Sequence, residues 1–230
     1  MFCTPSGVAS IYVSFDGGAV GVLQGKGVVA GLKANGKYSQ HPVVAELNGG
    51  STDPNSFLFK GGYDKILKPL YKSGKFKKGP DQFVPGWDNQ KAGTIFEQML
   101  VRTGNKIDAV AAANDGLANG VVVALKAHGL KPIPLTGQDA TPTGTQFILA
   151  GWQSGTVYKS VRKEANAAAA AAIAIVKGKK VPGVNGNVSG TKSIILKPVW
   201  VTKKNYKLLF TEGFLKRNQV CIGQYKKLCK

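Results

Sequence analysis

Arginine is nearly missing from this sequence. Of 31 basic residues among 230, only Arg102, Arg162 and Arg217 carry a guanidinium. Arginine is the usual bidentate reader of bases and phosphates, so the net charge of +19 does not imply a nucleic-acid partner. The lysines are scattered, and the clusters Lys75-Phe76-Lys77-Lys78, Lys177 to Lys180 and Lys203-Lys204 are expected at turns of a solvated basic surface. Histidine is reduced to His41 and His128, neither with a partner nearby in sequence. There is no nucleophile elbow, no metal-ligand cluster and no phosphate loop, so nothing marks an enzyme or asks for a cofactor. Gly17-Gly18-x-x-Gly21 opens a helix after a strand, but its spacing is not that of a dinucleotide fingerprint and no matching acid follows. No apolar run is long enough to span a bilayer as a helix. The first ten residues lack the basic start and apolar core of a secretory signal, and Cys3 is no lipid-attachment cysteine on that ground. Either a signal was removed, or the chain begins inside a longer protein.

Cysteine is scarce as well. Cys221 and Cys229 bracket a short polar loop. A disulfide there would close a small ring and pin the tail in an oxidising compartment; two free surface thiols are the alternative. The spacing, with no histidine nearby, does not suit zinc.

What the chain does have is alternation. Strands are expected at Ile11 to Phe15, Val43 to Leu47, Gln82 to Val84, Asp108 to Ala113, Leu135 to Gln138, Gly155 to Lys159 and Ser193 to Thr202, the last interrupted by Pro198. Helices are expected at Val20 to Asn35, Pro54 to Lys72, Gln90 to Arg102, Leu117 to Gly129, Gly144 to Leu149 and Ser160 to Lys177, from apolar residues at helical spacing and, in the last, a run of alanines. Strands alternating with helices argue for an α/β fold on a parallel sheet. In such sheets ligands bind off the carboxyl ends of the strands. The loops expected there are polar or aromatic: Asp16, Asn48 with Asp53 and Asn55, Trp87 with Asp88, Asn114-Asp115, Gln138-Asp139 and Tyr158-Lys159.

Such a rim suits a neutral polyhydroxyl ligand. Carboxylates and amides pair with vicinal hydroxyls, and an aromatic face covers sugar C–H groups. Each residue has a plainer role beside this one. Asn114, Asp115 or Asp139 could cap helices, Trp87 could be a core residue, and Lys159 could be a solvated lysine.

The segments Ile11-Tyr-Val-Ser-Phe-Asp16, Leu47-Asn-Gly-Gly-Ser-Thr-Asp53, Pro85-Gly-Trp-Asp88, Asn105-Lys-Ile-Asp-Ala-Val-Ala-Ala-Ala-Asn-Asp115, Gly137-Gln-Asp-Ala140 and Thr156-Val-Tyr-Lys159 together resemble the class I periplasmic binding proteins of sugar ABC transporters, the xylose-binding members most of all. The resemblance runs in order from Ile11 to the C-terminus. It implies a three-layer α/β lobe on a parallel sheet plus a partial second lobe, with crossings at Asp16, at Lys159 and at the strand Ser193 to Thr202. Residues 1–15 would be a remnant of the N-terminal lobe and first crossing strand, 16–158 a complete C-terminal sugar-binding lobe, 159–192 a helix of the N-terminal lobe, and 193–230 the final crossing strand and tail.

By the same resemblance Trp87 matches the stacking aromatic, Asn114 and Asp139 polar sugar ligands, Lys159 a crossing-segment ligand, and Asn55 a side chain over the sugar. The function implied is binding of a monosaccharide, xylose-like, in an interlobe cleft, with delivery to a membrane permease from the periplasm or cell surface. A sugar-sensing regulatory lobe of the same fold is the alternative, although no DNA-binding helix-turn-helix is visible. Family members carry a long stretch ahead of the first motif, with further sugar ligands in it; here that motif comes at Ile11. The chain alone is therefore expected to bind sugar weakly or not at all. It is also expected to self-associate, or to pair with a separate N-terminal lobe, through the helix Ser160 to Lys177.

Overall fold

The computed structural model describes residues 9–229; Cys3 and the start of the expected 1–15 remnant lie outside them. In chain order the elements are β1 (Tyr12–Phe15), α1 (Gly17–Ala34), β2 (Val43–Asn48), α2 (Pro54–Lys72), β3 (Lys77–Phe83), a 3-10 turn at Pro85–Trp87, α3 (Asn89–Arg102), β4 (Ala109–Ala112), α4 (Asp115–Ala127) and β5 (Thr136–Gln138). There follow α5 (Pro142–Ala150), β6 (Gly155–Tyr158), α6 (Val161–Val176), β7 (Gly186–Val188), β8 (Thr191–Leu196), β9 (Val199–Val201) and the short helices α7 (Leu208–Thr211) and α8 (Arg217–Val220). The chain forms two compact units. The larger holds Gly17–Tyr158 and everything from Val199 onward, the smaller the residues up to Asp16 with Lys159–Pro198.

In the larger unit β3-β2-β4 and β5-β6-β9 meet through a parallel bridge between Val110 and Leu135. All pairings are parallel except that of β9 with β6. Both faces are covered, because strand side chains alternate. Val44, Ala109 and Ala111 join Val20, Val28, Phe59 and Leu67 of α1 and α2 on one face. Ala45, Leu47, Val110 and Ala112 join Phe96, Leu117, Val121 and Phe147 of α3, α4 and α5 on the other. The result is a doubly wound three-layer lobe with its order reversing between β2 and β4, where ligand crevices form in such sheets.

Helix α1 carries many glycines for its length, which works against a helix. Their use is close approach: a Cβ on Gly21 would lie 1.9 Å from the Phe59 carbonyl oxygen, and one on Gly62 would lie 2.3 Å from that of Gly18. The glycine run that faintly suggested a nucleotide loop is a packing surface between α1 and α2.

Several expectations need correction. Lys77 and Lys78 stand in β3, not in a turn, and that strand starts five residues earlier than the pattern suggested. Gly79 and Pro80 hid it: the register slips between Val44 and Glu46, and proline is tolerated because β3 lies at an edge. The expected strand Ser193 to Thr202 is two strands, β8 and β9, in different units. Pro198, lacking an N–H and fixed in φ, ends the first. Residues read as loop after α6 include β7, paired antiparallel with β8 across Ser189 and Gly190, both at positive φ (49° and 84°), as a tight two-residue hairpin turn requires. In the smaller unit β8 also pairs in parallel with β1.

Asp115, the first residue of α4, is fully buried. Its Oδ2 accepts from Thr141 N (2.8 Å) and Thr141 Oγ1 (3.2 Å), and its Oδ1 from Gln153 Nε2 (2.7 Å). Burial pushes its carboxyl up to about 7, against hydrogen bonds from Gln153, Thr141 and Thr156 that pull it down.

Two outcomes follow from this packing. Gly21→Ala should cost about 2–4 kcal/mol in urea denaturation, because the new methyl meets backbone. Gly61→Ala, whose Cβ would meet nothing within 4 Å, should instead gain about 0.5–1 kcal/mol of helix propensity. For Asp115 the folded state holds its proton more tightly than the unfolded chain. Its contribution is thus full below about pH 4 and lost as the pH rises to about 7. Asp115→Asn removes that loss, so stability of the variant relative to wild type should climb across this window and level off above it. Parallel pH profiles for the two proteins would refute the assignment.

Candidate functional site

The carboxyl ends of the larger unit's strands are stitched together by buried amides. Gln24 Nε2, from α1, donates to the carbonyls of Ala112 (2.9 Å), Ala113 (3.0 Å) and Gly137 (3.3 Å). Gln138 Nε2 donates to Ala113 O at 3.1 Å. Ala113 N donates to Leu47 O at 3.0 Å. The ends of β2, β4 and β5 are thereby fixed against one another, and three of the five nominated ligands, Asn55, Asn114 and Asp139, follow them in the chain, while Trp87 follows β3.

Trp87 and Asn55 are brought together by Asp53. One oxygen of Asp53 accepts from Asn55 N (2.9 Å) and Asn55 Nδ2 (3.0 Å), capping α2; the other accepts from Trp87 Nε1 at 3.1 Å. The indole lies across the Gly49-Gly50 backbone, so closely that a Cβ on Gly49 would stand 2.1 Å from the ring. Its edge faces Phe59, centroids 6.4 Å apart. Trp87 is half-buried, and its φ of 57° is left-handed, so the ring position is held by packing against local preference.

Asn114 caps α4, its Oδ1 accepting from Leu117 N at 2.9 Å. What it would offer a ligand is the Nδ2 donor. Asp139 sits in a two-residue left-handed turn, with φ 92° and 51° at Asp139 and Ala140. Each non-glycine residue there costs about 1–3 kcal/mol. The turn is held by Asp139 N to Val157 O (2.9 Å), Ala140 N to Thr156 Oγ1 (3.1 Å) and the bonds from Thr141 to Asp115. Asp139 itself is half-buried. Lys159, the fifth residue, is half-buried and belongs to the smaller unit.

Two rim residues are not at the rim. Asp115 is interior, as described. Asn48 is fully buried and takes the hydroxyl of Tyr63 on its Oδ1, while its Nδ2 donates to Asp81 Oδ1 (2.7 Å) and Gln82 O (3.1 Å). It belongs to a charged network in which Lys60 bonds both Glu46 and Asp81. Burial would raise Asp81, but hydrogen bonds from Lys78, Lys60 and Asn48 hold it down at about 2. Asp88, read as a rim residue, caps α3 through Gln90 N and Lys91 N. The residues that sequence reasoning did not single out are Asp53 as the anchor of Trp87, and Gln24 and Thr141 as supports. For Asp53 a signal existed: an acid before Pro54 is a helix-start signature. Cys221 and Cys229 are joined in a disulfide, Cα atoms 5.8 Å apart. The tail it closes packs Val220 and Cys229 in one cluster with Ala140 of the strained turn. Among the described residues no group of three or more His, Cys, Asp or Glu side chains could hold a metal ion.

The family model for the periplasmic binding protein domain matches residues 3–180. Over 215 residues the chain is 39% identical to the D-xylose-binding periplasmic protein of Escherichia coli, covering 91% of this chain and 63% of that protein. The same protein of Haemophilus influenzae is 39% identical over 88% of this chain and 60% of its own length. A multiple sugar-binding periplasmic receptor of Rhizobium radiobacter is 34% identical, over 94% of this chain and 66% of its own. The chain thus spans somewhat under two thirds of the length of these relatives. Among solved structures, an ABC transporter solute-binding protein of Clostridium phytofermentans with bound β-D-glucose superposes with a TM-score of 0.83 at 29% identity, over 94% of this chain and 72% of that one. The doubly wound lobe, the order of its motifs and the extent of the family match agree: the chain belongs to the periplasmic binding protein domain family.

Proposed function

We propose that this chain is the sugar-binding part of an extracytoplasmic substrate-binding protein that takes a monosaccharide at the carboxyl edge of the larger sheet and hands it to an ABC-type permease. The observation that carries the reading is the pair of strained residues at that edge: Trp87 and Asp139, both left-handed, the first held by Asp53 and by packing on Gly49 and Phe59, the second by a turn bonded to β6 and α4. Strain of this kind persists where the surrounding structure fixes it, and it gathers at ligand clamps. The indole supplies a flat apolar face to sugar C–H groups. The Asp139 carboxylate accepts from vicinal hydroxyls, and Asn114 donates from Nδ2 because its oxygen caps α4. A wrong epimer would leave these polar groups unpaired. Asn55 lies beside the indole through Asp53, and Lys159 is proposed on the resemblance alone. D-xylose is the first sugar to try, since the relatives from Escherichia coli and Haemophilus influenzae are named for it. The disulfide suits an oxidising compartment, which agrees with the periplasmic naming of those relatives.

On adding tens of millimolar D-xylose or D-glucose to the chain, the Trp87 indole and Asp139 backbone NMR signals should shift saturably. Trp87→Ala and Asp139→Ala should each weaken that response at least ~10-fold, about 1.4 kcal/mol. A response unchanged in both variants would remove the reading.

A partner of the smaller unit is also proposed. Along α6, Val161, Ile173, Ile175 and Val176 are exposed, Val176 at 88%, and of its sixteen residues only Ala171 and Ala174 are buried. An apolar helix face of this kind marks an interaction surface. The chain should associate in light scattering, and Ile173→Lys with Val176→Lys should shift it toward monomer; a wild-type monomer that binds no apolar dye would refute this.

A further inference from the structure

We propose that the edge of the larger unit opposite the candidate sugar site is a docking face for an anionic phospholipid surface. This face does not depend on the sugar reading. Lysines that are scattered in sequence are gathered by the fold. Strands β2, β3 and β4 start in near register, Val43 beside Lys77 and Val44 beside Ala109, and Leu135 ahead of β5 bridges to Val110. The turns that lead into them from α1, α2, α3 and α4 therefore lie along one edge, the amino edge of the sheet. Each of those helices has a basic residue in its last turn: Lys33, Lys72, Arg102 and Lys126. Each loop that follows carries a lysine: Lys37, Lys75, Lys106 and Lys131. All of these residues are exposed. The same turns and loops hold one acid, Asp108, and it is taken up by Lys37 Nζ and Val43 N.

The opposite edge is acidic. The loops after β2, β3 and β5 carry Asp53, Asp88 and Asp139 and no lysine or arginine. A basic residue at a helix C-terminus has a plain role, since it offsets the negative end of the macrodipole. That accounts for the first row of charges at the amino edge. It does not account for the second row, which lies beyond the helix ends. Ring contacts hold members of the two rows together against their mutual repulsion. Lys33 and Lys75 place Nζ over the same Tyr38 ring, 4.9 and 4.3 Å from its centroid, and Phe76 braces that ring edge-on at 5.5 Å. Lys126 Nζ stands 4.9 Å from the ring centroid of Trp152, in the loop before β6. Tyr38 and Trp152 are half-buried, so each adds part of an amphipathic ring to the basic face.

The composition of the face selects its partner. A nucleic acid would call for arginine, and Arg102 is the single one in these turns and loops. Protein interfaces are depleted in lysine. Lysine beside tyrosine and tryptophan suits a phospholipid headgroup layer: each ammonium near an anionic bilayer adds to the attraction, and the aromatic rings settle at headgroup level. Among the described residues no helix is long and apolar enough to cross a membrane, so the contact is with the surface. Seated this way, the larger unit turns the edge that carries Trp87, Asn114 and Asp139 away from the bilayer, toward incoming sugar.

Co-sedimentation of the full chain with vesicles tests this, using phosphatidylcholine alone or phosphatidylcholine mixed with phosphatidylglycerol. The chain should bind the mixed vesicles and not the neutral ones, and added salt should weaken binding. Lys75→Glu, Lys106→Glu and Lys131→Glu together should weaken it roughly 10- to 100-fold. Lys75→Gln, Lys106→Gln and Lys131→Gln, which remove the charges without reversing them, should give about half that loss on a logarithmic scale, and they decide the matter if the first variant fails to fold. Lys177→Glu, Lys179→Glu and Lys180→Glu change the net charge as much as the first variant but lie in the smaller unit; they should weaken binding less than about 3-fold. An equal loss in the two glutamate variants would mean attraction by net charge alone and would overturn the docking face. So would equal binding to neutral vesicles, or a preference for duplex DNA over mixed vesicles at matched phosphate. None of these outcomes bears on the sugar site, which the NMR response to sugar tests separately.

Discussion

A carboxylic acid with no exposed surface sits where four elements meet, and the carboxyl edge of the larger sheet is arranged around it. Burying a carboxylate without partners costs several kcal/mol, so the fold must supply donors and exclude solvent together. Thr141, Gln153 and Thr156 supply the donors. Gly137 and Gly144 supply the space, since a single methyl at either would collide with the carboxyl. This makes the positions of β5, β6 and the start of α5 mutually dependent. It also explains why Asp139 and Ala140 can adopt a backbone that neither prefers: the residues after them are pinned by Asp115, and those before them by Gln24 and Gln138.

The same edge shows how one residue type serves two purposes. Asp53, Asp88, Asn114 and Thr141 each cap a helix that starts at the carboxyl edge. Capping uses only part of each side chain. Asp53 satisfies α2 with one oxygen and fixes the indole with the other. Asn114 spends its oxygen on α4 and retains an amide. Cap and ligand roles are therefore compatible at Asn114, so a helix-cap geometry does not by itself remove a residue from the site.

The alternation of strand and helix was legible because both faces of the sheet are apolar and the helices have clear periods. The element positions around Asn114, Asp115 and Asp139 followed from that pattern. Three things were not legible. Strand β3 is broken by Gly79 and Pro80 and carries lysine at its start, so it has no strand signature; only pairing with β2 makes it one. Glycines in α1 read as loop chemistry because their use, an approach to α2 within contact distance of backbone, involves residues some forty positions away. Asp115 and Asn48 read as rim residues because they end apolar runs, and sequence order cannot tell a side chain at the carboxyl end that turns inward from one that turns outward. Asn48 turns inward because Tyr63 and Asp81 satisfy it there; Asp115 does so because Thr141 and Gln153 are waiting.

The division of the last expected strand at Pro198 reaches into the timing of assembly. The larger unit is not contiguous: β9 and the disulfide-closed tail come from residues after Val199, beyond the whole of the smaller unit's second segment. A ribosome adding about 5–20 residues per second needs a few seconds to deliver them after β6 has been made. During that interval β6 presents an unpaired edge, and Leu149, Tyr158 and Ala140 lack their cover of Leu209, Leu215 and Val220. Open strand edges are sites of wrong pairing. The nascent larger unit is thus most exposed to aggregation while the chain between Lys159 and Pro198 is being synthesised, and a translational pause placed there would lengthen the hazard, whereas one placed after the tail would not.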